Sequence, residues 1–316
     1  MLQQMMAAGN LLLKPGTLWQ QILRSTAQAI ERDAIKSIPT EREIVYEYNI
    51  PFIVRIASNL DRKSADKEKQ INESRQTGLE VNPFLPYEKD LFVADITDSH
   101  LCLLNKFNVV DHHLLLVTRD FEEQESLLTL SDFAAMWACM AEFPALAFYN
   151  SGAVAGASQR HKHLQLVPLP LGQGKTEIPL EAAFHSLRYK DSIGTAQYLP
   201  FCHAIARVDD QWLESPAQAA KATLELYYLM LDVVGLSAQS NHNNRPPSGP
   251  YNLLVSRKWM VLVPRTHECF DSISVNSLGF AGSLLVRNDQ QLQTLKQHGP
   301  MTVLSKVGVT TTGGTL

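Results

Sequence analysis

The chain has 316 residues, 45% hydrophobic and 19% charged, with a formal net charge of −4, which excludes disorder and argues against a protein built to grip nucleic acid. No apolar run reaches the ~18 residues of a membrane span, and the N-terminal stretch lacks the basic flank and apolar core of a signal peptide. Cys102, Cys139, Cys202 and Cys269 form no Cys-x-x-Cys pair and read as the reduced thiols of a cytoplasmic protein.

Apolar residues at 18, 19, 22, 23 and 30 predict an amphipathic helix over 17–34 with Thr17 as N-cap. Residues 43–57 are β-branched and aromatic and predict strands. Charge dominates 61–80, which reads as a solvated loop. Short strands are expected over 91–96, 101–107 and 113–118, then a helix over 131–143 capped by Ser131. Strands over 146–150 and 161–167 follow, and Pro168 and Pro170 end the pairing. Ser215-Pro216 opens a helix running to about Val234. Residues 237–250 read as an exposed linker, 252–256 and 259–263 as a hairpin, and 308–316 as a frayed tail. Antiparallel strands mixed with separate helices give an α+β fold.

The most informative run is 150–165. His161, His163 and Gln165 alternate, so in an extended strand they share one face while Leu164 and Leu166 pack the other. The small residues Gly156-Ala157-Ser158-Gln159 just before them let backbone N–H groups approach an anion. A neutral imidazole beside a phosphate cradle suits nucleophilic attack on an α-phosphorus, with expulsion of a polyphosphate. Two other readings compete: a polar strand packed without function, and a metal site using His161 and His163 as ligands, which position 165 completes only with a neutral amide. Glutamine cannot exchange a proton with a leaving group, so acceptors that need no deprotonation, such as phosphate, are favoured over water. His100, His112, His185, His242, His267 and His298 stand in no such constellation and are left unassigned.

His161-Lys162-His163-Leu164-Gln165, with Asn150-Ser151-Gly152 and the 156–159 loop before it, resembles the diadenosine tetraphosphate phosphorylases. These are ATP adenylyltransferases of the histidine-triad superfamily, on the branch shared with galactose-1-phosphate uridylyltransferase. Asn82-Pro83-Phe84, the stretches 103–110 and 114–118, and Asn276-Ser277-Leu278-Gly279-Phe280-Ala281-Gly282 agree with it. The resemblance implies a histidine-triad-like antiparallel sheet flanked by helices. It also implies reversible phosphorolysis of diadenosine tetraphosphate to ATP and ADP through a nucleotidyl-histidine, with these small molecules and phosphate as partners and no nucleic acid or membrane. Residues 1–200 would carry the nucleophile and residues 201–316 would complete the substrate groove.

By resemblance, His163 is the nucleophile, His161 holds its geometry and Gln165 binds phosphate. Asn150, Gly156, Ala157, Ser158 and Gln159 bind nucleotide and phosphates, and Leu104 and Asn105 seat the nucleoside. Lys63, Asn276, Ser277, Leu278, Ser283 and Arg287 grip the rest of the substrate. Asn108 and Asp111 stand where the family often has prolines. With no suitable cysteine pair no structural metal is expected, although Mg²⁺ can accompany the nucleotide. Related transferases acting on ADP and sulfate, or on a GDP-hexose, are the alternatives.

Overall fold

The computed structural model describes residues 9–57, 82–172, 176–236 and 248–310. The charged segment 61–80, Lys63 within it, and His242 lie outside these residues, as does most of the 237–250 linker.

Among the described residues a ten-stranded antiparallel sheet runs in the order β3-β4-β5-β7-β6-β11-β12-β10-β9-β8. These strands are Phe92–Asp95 (β3), His100–Leu104 (β4), Leu114–Thr118 (β5), Ala145–Asn150 (β6) and His163–Pro168 (β7). Leu187–Lys190 (β8), Ile193–Ala196 (β9), Ala204–Arg207 (β10), Tyr251–Val255 (β11) and Trp259–Pro264 (β12) complete it. Three helices cover one face: α1 (Leu18–Glu31), α2 (Leu130–Glu142) and α3 (Pro216–Val233). On the other face lies a smaller sheet in which β2 (Ile50–Ala57) pairs antiparallel with β1 (Thr40–Glu47) and parallel with β13 (Ser283–Val286). The 3₁₀ turn Pro179–Ser186 and the helices α4 (Ser277–Phe280), α5 (Asp289–His298) and α6 (Pro300–Val307) pack with it.

A central strand such as β6 is therefore apolar on both faces. In β6, Ala147 and Tyr149 enter the helical layer while Leu146 and Phe148 enter the opposite one. Such strands read as continuous apolar runs, as 145–149 does, because alternation appears only when one face meets water.

The expected α1, the strands of 43–57, the long helix α3 and the β11–β12 hairpin are observed. Thr17 stands at the N-cap position of α1 but makes no side-chain cap; the carboxylate of Glu142 instead accepts from the N–H groups of Gly16 (2.8 Å) and Leu18 (3.1 Å). A negative charge there suits the positive end of the helix dipole and ties α1 to the end of α2. The cap of α2 is Thr129 and not Ser131. Thr129 places Asp132 at the third helical position, where its carboxylate bonds back to the Thr129 N–H at 2.7 Å; from Ser131 that position would be Ala134, which has no such group.

The strand expected over 101–107 stops at Leu104, because the Asn105 side chain accepts from the Phe107 N–H at 3.2 Å and closes an Asx turn. The tail is a further correction over 308–310. Gly308 and Thr310 bridge Arg265 and Phe201, and the Cys202 N–H donates to the Val309 carbonyl at 2.7 Å. No helix among the described residues is long and apolar enough to cross a membrane.

Candidate active site

β7 lies in the middle of the large sheet between β5 and β6, with Gln165 opposite Leu115 on one side and Phe148 on the other. Leu164 and Leu166 enter the helical layer. His163 and Gln165 face the opposite way, into a cavity of about 250 Å³. Lys162, fully buried, points toward the helices. Its ammonium meets Asp132 at 2.7 Å, Glu122 at 3.1 Å and the Leu127 carbonyl at 3.0 Å, while Asp132 also meets His100 Nε2 at 3.0 Å. The alternation of the motif thus separates a reactive face from an anchored one.

His163 Nδ1 lies 2.7 Å from the carbonyl oxygen of His161. A carbonyl only accepts, so Nδ1 carries the proton and Nε2 keeps its lone pair. Burial pulls the His163 pKa down to about 4, with the His161 imidazole adding to the effect and the bond to the His161 carbonyl opposing it. The ring is neutral at pH 7 and its open nitrogen keeps its lone pair. His161 is locked by the same logic. Its Nε2 donates to the Thr118 carbonyl at 2.8 Å, so Nδ1 accepts from the Asn82 amide at 2.9 Å. Burial is the main reason its pKa also lies below the usual value. Phe84 sets its ring edge-on to both imidazoles. With both His161 nitrogens engaged by protein groups, the two histidines do not present a pair of open ligand atoms. Among the described residues no group of three His, Cys, Asp or Glu could hold a metal ion.

The amides around His163 are oriented as donors. The Asn150 Oδ1 accepts from the Ser277 N–H (2.9 Å), the Ser277 hydroxyl (2.7 Å) and Asn252 Nδ2 (2.9 Å), so Asn150 offers the cavity its NH₂. Gln165 Oε1 accepts from His113 Nε2 at 2.9 Å, so Gln165 does the same. Two amide donors beside an open imidazole nitrogen suit a ligand rich in anionic oxygens. Gly156, with φ +90°, lets the loop press on the segment just before α4: a Cβ there would stand 2.9 Å from the Val275 carbonyl.

The cavity brings together Leu104, Asn105, Asn150, Gly156, Ser158, Gln159, His163, Gln165, Asn276 and Leu278 from the sequence-derived set. His161 sits directly behind His163, and Ser277 behind Asn150. Ala157, Ser283 and Arg287 are not on the cavity wall. Ser283 is buried and accepts from Arg55 Nε at 3.4 Å, and Arg287 is exposed beyond the end of β13.

Sequence reasoning missed His113 and Gln124. Gln124 accepts from the His163 N–H at 2.8 Å and donates to the carbonyls of Asn150 and His163 at 2.9 and 3.1 Å, clamping β6 to β7 just where the motif begins. Neither residue stands near the motif in the chain, and no local pattern marks either one.

The family model for the Ap4A phosphorylase N-terminal domain, where Ap4A is diadenosine tetraphosphate, matches residues 8–186. The chain belongs to the Ap4A phosphorylase family. The ATP adenylyltransferase C-terminal domain matches residues 197–310, so the two matches together span both layers of this family member. The chain is 29% identical to diadenosine 5′,5‴-P1,P4-tetraphosphate phosphorylase 2 of Saccharomyces cerevisiae, over 68% of this chain and 72% of that protein. It is 25% identical to the protein APA1 of the same yeast, over 68% of this chain and 71% of that one. The fold is that of yeast Ap4A phosphorylase Apa2, whose crystal structure in complex with Ap4A superposes with a TM-score of 0.75 at 23% identity, covering 94% of this chain and 98% of that one.

Proposed function

We propose that this chain catalyses the reversible phosphorolysis of Ap4A by two transfers at His163 Nε2, in the cytoplasm, where its thiols stay reduced. The observation that carries this reading is the open, unprotonated Nε2 of His163 facing a cavity whose neighbouring amides are turned as donors. In the first transfer Nε2 attacks the α-phosphorus and the bond to the bridging oxygen breaks. ATP leaves as an anion and AMP remains on nitrogen. In the second, an oxygen of inorganic phosphate attacks the same phosphorus, the N–P bond breaks and ADP departs. Neither leaving group needs a proton, which fits an amide rather than an acid at position 165. The His161 carbonyl, bonded to Nδ1–H throughout, stabilises the charge that the ring gains on Nε2 substitution.

Gln165 and Asn150 donate to phosphate oxygens, and the 156–159 loop borders the polyphosphate. Leu104 and Asn105 seat the nucleoside, with Asn276 and Leu278 closing the groove from the C-terminal region. Lys63 and Arg287 are assigned to the distal phosphates. Mg²⁺ enters with the polyphosphate it already binds.

Incubating the protein with Ap4A and resolving the products by ion exchange tests this reading. ATP and ADP are expected only when phosphate is added, and ATP with AMP in its absence would mean hydrolysis. His163→Ala is expected to lower turnover by about 10⁴-fold or more while nucleotide binding persists.

A further inference from the structure

We propose that His113, held by Asn105, is a positioning residue that fixes the Gln165 amide with its NH₂ toward the substrate phosphates. The inference rests on the phosphorolysis reading for its consequence, but its geometry stands independently. It begins at a group whose polarity is certain, the backbone N–H of Phe107, which donates to Asn105 Oδ1 at 3.2 Å. With its oxygen so used, Asn105 turns its Nδ2 to His113 Nδ1 at 3.2 Å. An amide NH₂ only donates, so Nδ1 accepts and the His113 proton sits on Nε2. Nε2 then donates to Gln165 Oε1 at 2.9 Å. The oxygen of Gln165 is thereby taken, and its NH₂ is the end presented to the cavity. Every direction in this chain follows from the first donor.

The scaffold keeps the chain in place. The Asn105 N–H also donates to the His113 carbonyl at 2.8 Å, closing the end of the β4–β5 hairpin, and β5 pairs with β7 so that Leu115 lies opposite Gln165. His113 is buried and bounds the cavity. An unanchored glutamine could turn either its oxygen or its nitrogen to the phosphate, and the oxygen would repel it. The imidazole removes that choice before substrate arrives, which is where preorganised donors gain over solvent.

Two measurements on the intact protein test the proposal. Long-range ¹⁵N–¹H correlation of the histidine rings in the ligand-free protein at neutral pH, with His113 assigned through His113→Gln, is expected to show the Nε2–H tautomer. A proton on Nδ1 would overturn the proposal. In the phosphorolysis assay His113→Phe is expected to lower kcat by about 10- to 100-fold, a fraction of the loss from a deleted transition-state donor, with a smaller change in KM. His113→Gln, whose amide can both accept from Asn105 and donate to Gln165, is expected to restore most of the rate. The decisive comparison is the double variant His113→Phe/Gln165→Met, which should be no slower than Gln165→Met alone. Losses that multiply would show that His113 acts apart from Gln165 and overturn the assignment. If the wild-type protein turns over no Ap4A with phosphate, the functional reading fails instead, and the tautomer still decides the geometry.

Discussion

His163 combines two properties that ordinarily oppose each other, a buried site and an available lone pair. They coexist because only Nδ1 is spent on the protein, at the His161 carbonyl. The consequence is a pH profile. Protonated His163 has no lone pair to give, so transfer is present above its pKa and lost as pH falls through it. With that pKa near 4, the single-turnover rate of AMP transfer from Ap4A is expected to stay level from pH 8 through 6.5 and to halve only near pH 4. Ap4A has no terminal phosphate to titrate in that interval. A half-rate near pH 6.5 would mean a solvated imidazole and a different geometry. The alternation of His161, His163 and Gln165 was legible because the period of a strand is set by covalent geometry. Their orienting partners were not. Asn82 lies 79 residues from His161, Gln124 lies 39 from His163 and His113 lies 52 from Gln165. Only strand pairing, which one sequence does not display, brings them within hydrogen-bond distance.

At the start of β7 the reactive face is held by Lys162, which precedes the strand and points the opposite way. Burial alone would raise the Asp132 carboxyl, but the Lys162 ammonium and the bond from His100 bring it well below the usual carboxylate range. Burial would likewise lower Lys162, and Asp132 and Glu122 reverse that. Each ion is therefore tolerable only with its partner. Lys162→Met is expected to cost about 3–5 kcal/mol, because it strands a buried carboxylate. The double variant Lys162→Met/Asp132→Asn should recover part of that loss, and urea unfolding of the three proteins measures both. If Lys162→Met alone were neutral, Lys162 would not be what anchors β7 to α2. At this scale the sequence shows elements well where periodicity is long, as in α1 and α3, and poorly where elements are short. The strands β8, β9 and β10 have four residues each, too few for a period to emerge, and α4 is a single turn whose start is set by the Asn276 side chain accepting from Leu278 N–H at 3.0 Å.

Across the whole molecule the large sheet ignores the boundary suggested by the two matched regions. β6, from the first region, pairs with β11 from the second through Asn252↔Asn150 to Val255↔Ala147. β9 pairs with β10 across residue 200. Both main apolar clusters draw on strands from the two halves, with Leu166 and Leu253 on one side of the sheet and Leu146 and Leu254 on the other. The active site does the same, since Asn150 is oriented by Ser277 and Asn252. A fragment ending at residue 200 would expose the edge of β6, a strand buried along its whole length, as an unpaired template for aggregation. The full chain is therefore expected to unfold in one transition, with fluorescence and far-ultraviolet circular dichroism coincident in denaturant. The 1–200 fragment is expected to be insoluble or to lack a cooperative transition. Two separated transitions, or a soluble and cooperatively folding fragment, would show that the regions fold independently and that the site is assembled only when they dock.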